Sequence, residues 1–142
     1  MRFCQLLFFS ALALGCCLAE TPKSNPQSTK LRGKLTQRSG QPPAIETGDH
    51  KLVTVEGDDA ALKVLNDKRL NGVELEAAGH FTTADHFVLD PNHARTVLAH
   101  NHGKLKMITY WCDVCSIRSY EPGPCWCCQA ETVLELRDPD EP

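Results

Sequence analysis

The sequence predicts a mainly β protein: a small OB-like five-stranded barrel with one helix over residues 31–92, then a C-terminal hairpin module over 93–137 that carries cysteines. Three observations support this. Segments that alternate apolar and polar residues, the period of a half-buried strand, recur between turn residues from 31 onwards. One substantial segment, following Asp58-Asp59, instead places its apolar residues at helical spacing. Finally, five cysteines crowd into the stretch from Cys112 to Cys128, directly after a strand-like run.

Taken in order, Leu31–Thr36 is the first predicted strand, and a turn-rich stretch through Gly40, Pro42 and Pro43 leads to a second at Ala44–Thr47. Gly48-Asp49 closes that strand. Lys51–Glu56 alternates cleanly and ends at Gly57. Asp58 and Asp59 then cap a helix whose face is Ala61, Leu62, Val64, Leu65 and Leu70, with Asn71-Gly72 as its stop. Leu62 and Leu65 are its expected core residues. Val73–Thr82 alternates again, with Glu74 and Glu76 between Val73, Leu75 and Ala77. Phe87–Leu89 follows the turn Thr83-Ala84-Asp85, and Asp90-Pro91 ends it. Three strands, a helix and two strands is the element order of an OB barrel. Beyond Pro91 a hairpin is expected from Thr96–His100 and Leu105–Trp111 around Asn101-His102-Gly103, with a last strand at Thr132–Arg137 and an acidic tail at 138–142.

Composition narrows the function classes. With 15 Lys and Arg against 18 Asp and Glu, the formal charge of the 142 residues is −3, and no basic patch points to nucleic acid. A protein or a small molecule is the expected partner, of unknown identity. Arg2, the apolar run Leu6–Leu14 and the small residue Ala19 have the layout of a signal peptide over 1–19, which predicts an exported protein, periplasmic or extracellular. Ala13-Leu14-Gly15-Cys16 offers the alternative of a lipid anchor at Cys16. Residues 20–30 are polar and proline-broken, a flexible linker. No run approaches the roughly 20 apolar residues of a membrane span. Loss of the leader removes Cys4, Cys16 and Cys17, and leaves Cys112, Cys115, Cys125, Cys127 and Cys128.

Those cysteines form two Cys-x-x-Cys pairs, Cys112/Cys115 and Cys125/Cys128, separated by nine residues that include Pro122-Gly123-Pro124. Each pair can bend around one ion from a tight turn, and strands entering the first pair and leaving the second would converge four sulfurs on a tetrahedral zinc. Iron and copper also accept thiolates and stay open on spacing alone. Cys127 is the odd thiol: a spacing of one between ligands closes poorly around a tetrahedral ion, which favours Cys128 as the fourth ligand and leaves Cys127 as a neighbouring or reactive thiol. Disulfide stapling is the competing reading, since export favours it, although five cysteines cannot all pair within one chain. Thiol redox chemistry is a third; it would want a helix after the first pair, where Ile117–Pro124 reads as turns. Ser116 stands where covalent haem attachment needs a histidine.

The stretch from Tyr110-Trp111-Cys112-Asp113-Val114-Cys115 to Pro122-Gly123-Pro124-Cys125-Trp126-Cys127-Cys128 resembles the short heavy-metal-binding zinc-ribbon module. The likeness covers residues 110–128. It implies a ligand set of Cys112, Cys115, Cys125 and Cys128, with Tyr110 two residues ahead of the first and Pro122-Gly123 introducing the last pair. The module usually has Pro after the first cysteine of a pair and Gly after the second, and this chain has neither.

Other residues carry weaker chemistry. Trp111 and Trp126 would shield the thiolates or offer an aromatic surface, and Lys104, Lys106 or Arg118 would offset the charge of four thiolates on a divalent ion. His80, His86, His93, His100 and His102 read as solvent-facing turn or strand-end residues, with an auxiliary metal site as the alternative. Glu74 and Glu76 share a strand face and read as solvation. No nucleophile and base pair stands out, so the expected role is binding without turnover.

Overall fold

The computed structural model describes residues 27–140. The leader, the Cys16 anchor site and the start of the linker lie outside them. Nine strands make one continuous sheet: β1 Thr29–Thr36, β2 Ala44–Glu46, β3 Leu52–Glu56, β4 Glu74–Thr83, β5 His86–Leu89, β6 Val97–Asn101, β7 Lys104–Cys112, β8 Ile117–Ser119 and β9 Val133–Arg137. The first five close into a barrel. β1 pairs β2, β2 pairs β3, β3 runs parallel to β5, β5 pairs β4, and β4 returns to β1. With its helix between β3 and β4, this is the OB-like barrel expected from the element order.

Closure of so small a barrel requires sharp bends, and two glycines permit them. A Cβ on Gly33, where β1 passes from β4 to β2, would overlap the Glu46 carbonyl, and one on Gly79 would overlap the Val88 carbonyl. Only a bare Cα allows strands so close.

The helix is shorter than the apolar spacing suggests. α1 spans Asp59–Leu65, with the Asp58 side chain accepting from the Ala61 N–H at 2.8 Å. It stops at Asn66, because the Asp67 carboxylate caps a separate 3-10 turn, Lys68–Leu70, by accepting from the Arg69 N–H. Gln37 Nε2 donates to the carbonyls of Leu65 and Asp67 and satisfies the exposed helix end. Leu70 still reaches the core, as do Val64 and Leu65, whereas Leu62 is only half-buried.

The barrel continues without a break into the cysteine region. Leu75, Glu76 and Ala77 of β4 pair β1 on one edge and β6 on the other, so β5 and β6 lie end to end along the same edge. α2, His93–Thr96, fills the step between them. β6 and β7 then form a hairpin with a two-residue turn, His102-Gly103, both residues at positive φ as a type I′ turn requires. β7 pairs β9 along Met107–Trp111 and β8 near its end. One apolar core runs through all of this: Val97, Ala99, Ile108 and Tyr110 are buried with the barrel residues, and Leu134 and Leu136 pack against them.

A polar clamp fixes the last strand to the barrel. Arg69 donates to both oxygens of Asp67, donates from Nη1 to the Thr132 carbonyl at 3.0 Å, and lies over the Tyr110 ring at 5.2 Å. Burial works against the charge on Asp67, but the hydrogen bonds from Arg69 outweigh it and hold the carboxyl below its ordinary value.

Core membership sets the expected mutational costs. Leu65→Ala should lose about 2–5 kcal/mol in urea unfolding, and Leu62→Ala less than about 2 kcal/mol. Equal costs would show that α1 turns a different face to the core.

Candidate metal centre

β7 is the element that sets the site in place. Alternation along it turns Ile108, Tyr110 and Cys112 toward the interior, so Cys112 continues the core row and is 1% exposed. The chain then reverses: Cys112 pairs Ile117, which leaves residues 113–116 as the loop of a hairpin between β7 and β8. The sequence reads Ile117–Ser119 as turn; it is a short strand because the Cys112–Cys115 reversal delivers it antiparallel to β7.

The second pair is built by a similar reversal. Cys125 donates its N–H to the Ala130 carbonyl and accepts at its own carbonyl from the Gln129 N–H, both at 2.8 Å. Pro124 bridges Glu131, and the Thr132 hydroxyl donates to the Gly123 carbonyl at 2.7 Å. These bonds tie the loop to the start of β9.

The result is convergence. The sulfurs of Cys112, Cys115, Cys125 and Cys128 all lie within 4.8 Å of one another, and those of Cys112 and Cys128 are 3.5 Å apart. Four sulfurs bound tetrahedrally at about 2.3 Å would be separated by roughly 3.8 Å, so the cluster is close to the dimensions of a zinc centre. A disulfide requires sulfurs at about 2.05 Å, and all five cysteines of the region are free thiols. This is a four-cysteine cluster able to hold a metal ion, compatible with a zinc-ribbon-like module.

The backbone around the sulfurs has the form of a pair of metal knuckles despite the missing Pro and Gly. Ser116 (φ 53°) and Gln129 (φ 62°), each directly after the second cysteine of its pair, take the left-handed conformation. That turns backbone N–H groups onto the inner sulfurs: those of Cys115 and Val114 toward Cys112, and those of Cys128 and Cys127 toward Cys125.

Electrostatics acts in opposite directions on Cys125 and on Cys112 and Cys115. The N–H groups of Cys128 and Cys127 pull Cys125 down to about 7. At Cys112 the Cys115 N–H pulls downward, but burial and the neighbouring thiols Cys128 and Cys125 together win, and its value rises. Cys115 rises because the side chains of Cys128 and Cys127 crowd it. Thiols that suppress one another's ionisation in this way are relieved by a cation in their midst.

Several expected neighbours stand elsewhere. Lys106 pairs with Asp138 at 2.7 Å and lies six residues along β7 from Cys112, roughly 20 Å at strand rise. Lys104 is farther still, so neither offsets charge at the cluster. Arg118 is cross-strand from Trp111, with its guanidinium 4.9 Å from the ring centre. Trp126 is 73% exposed, an aromatic surface facing solvent. Among the described residues no histidine joins the cluster: His93 Nε2 contacts the Tyr120 carbonyl at 2.9 Å, and His100 faces Glu76 at 3.7 Å. Glu74 and Glu76 carry ion pairs with Arg32 and Lys30 of β1.

The left-handed residues make a specific expectation. Ser116→Gly and Gln129→Gly should each stabilise the chain by about 0.5–1 kcal/mol, since only a side chain resists that conformation. Destabilisation by either, in denaturant unfolding of the reduced protein, would contradict the knuckle geometry.

Comparison of the chain with protein-family models, curated proteins and solved structures returns no match.

Proposed function

We propose that this is an exported, non-catalytic metal-binding protein whose two knuckles hold one zinc ion through Cys112, Cys115, Cys125 and Cys128, with the ion bracing the β7–β8 hairpin against β9. The observation that carries the reading is the convergence of four thiols from two separate turns within 4.8 Å, with two N–H groups aimed at each inner sulfur. Tetrahedral thiolate sites closed by protein ligands are the structural class of zinc centre, and they leave no position for a substrate.

The need for a brace is physical. β8 has three residues, none of them buried, and between Cys112 and β9 only Cys125 and Thr132 are buried. So few apolar contacts cannot order some twenty residues, each costing roughly 1–2 kcal/mol of backbone entropy. Zinc binding, worth about 10–16 kcal/mol in small zinc domains, offsets that cost. Export rests on the leader pattern of residues 1–19. Among the described residues no helix is long and apolar enough to cross a membrane.

Metal analysis of the reduced full chain should give one zinc per chain. Cys127→Ser should keep it, whereas Cys112→Ser and Cys128→Ser should lose it, and stripping the ion should expose amides of 112–132 to exchange while the barrel stays protected. A reduced parent without metal, or loss of zinc in Cys127→Ser with retention in Cys128→Ser, would overturn the assignment.

A further inference from the structure

β9 is paired on one edge only. Val133–Arg137 lies along Met107–Trp111 of β7, and among the described residues no other strand reaches its far side. Two contacts give the direction of its backbone groups. The Thr109 hydroxyl donates to the Glu135 carbonyl at 3.2 Å, which places that carbonyl on the β7 side. Backbone groups alternate along a strand, so Leu134 and Leu136 turn their N–H and C=O to the open edge. The Thr132 carbonyl, in phase with them, accepts from Arg69 Nη1 at 3.0 Å, and there the edge is already occupied. The usable edge begins at Leu134.

Natural sheets blunt such an edge with proline, lysine or a bulge. β9 has none of these. Its core-side residues Leu134 and Leu136 pack against the apolar cluster and yet stay half-buried, as side chains do when one flank has no neighbour. Glu135 and Arg137 stand on the opposite face of the strand.

We propose that this edge joins two copies of the chain, with β9 pairing antiparallel to β9 of a second copy about a two-fold axis at Leu136. No metal ligand takes part. Centred there, the pairing sets Glu135 of each copy opposite Arg137 of the other, and lays the two Leu136 side chains together on the core side, where each covers the other. Centred on Glu135, it would set that carboxylate against itself, and like charges directly opposite are destabilising. Centred on Leu134, it would need the edge upstream of Val133, which Arg69 holds. Edge charges of one sign would repel a second copy; Glu135 and Arg137, opposite in sign and two residues apart, complement one. Arg118 of the same chain approaches Glu135 only to 3.5 Å, longer than a normal hydrogen bond, and leaves the carboxylate able to take a second cation.

Sedimentation of the reduced full chain, in which no disulfide can link two copies, should show a monomer–dimer equilibrium. Glu135→Lys and Arg137→Glu each set like charges across the axis, and each alone should associate at least about tenfold more weakly than the parent. Mixed in equal amounts, the two variants bring opposite charges together at both crossings and should form a heterodimer about as tightly as the parent pairs with itself. Association through the apolar run of residues 6–14 would not respond to these charges. A second measurement needs no variant: the amides of Leu134 and Leu136 should exchange more slowly in concentrated than in dilute parent. A parent that stays monomeric up to about 1 mM, the weak end of specific association, would overturn the proposal. So would a mixture that associates no more tightly than either variant alone, or equal exchange of the two amides at both concentrations.

Discussion

Backbone pairing along β4 is the constraint from which the remainder of the molecule follows. One edge of this strand closes the barrel against β1, and the other carries β5 and then β6. Because β4 is committed on both edges, β6 has a fixed position and register, and the tight His102-Gly103 turn passes that register to β7. A slip of one residue would turn Ile108 and Tyr110 out of the core, and would turn Cys112 out with them. The cysteine cluster is therefore placed by the same hydrogen bonds that close the barrel, at the far end of the strand that leaves its core.

Within the cluster, burial and hydrogen bonding act in opposite senses on chemically identical groups. Cys125 receives backbone N–H groups and is eased toward the thiolate; Cys112 is held as a thiol by burial and by the sulfurs of Cys128 and Cys125, and Cys115 by those of Cys128 and Cys127 and by burial. An ion resolves this conflict, since positive charge at the centre favours all four thiolates together. The local backbone accepts a cost for the arrangement, because Ser116 and Gln129 sit where glycine would be easier. Strain of that kind persists where the surroundings over-determine it, and here the bonds of Cys125 with Gln129 and Ala130 do so.

The parts of the fold that were legible in the sequence are those governed by local rules. Alternation marks β1 to β5 to within a few residues, Asp58 marks the start of α1, and Cys-x-x-Cys spacing marks the reversals that gather the sulfurs. What escaped depends on contacts distant in sequence or on competition between two local signals. Leu70 has helical spacing with Leu65, but Asp67 caps a new turn and ends α1 early. β8 exists only because β7 is there to pair it. The attachment of β6 to β4 has no local signature, since either edge of either strand could have served. Ser116 and Gln129 look unsuited to left-handed backbone, and their position after a knuckle is the signal that marks them. Trp126 beside a cysteine invites a shielding role, yet the reversal at Cys125 turns it to solvent.

The central claim is that these four sulfurs, and no other donors, hold one ion. X-ray absorption at the zinc edge of the loaded, reduced full chain tests it most directly. The account predicts a single shell of four sulfur scatterers at about 2.3 Å. A first shell containing nitrogen or oxygen scatterers at about 2.0–2.2 Å in place of one or more sulfurs would contradict it.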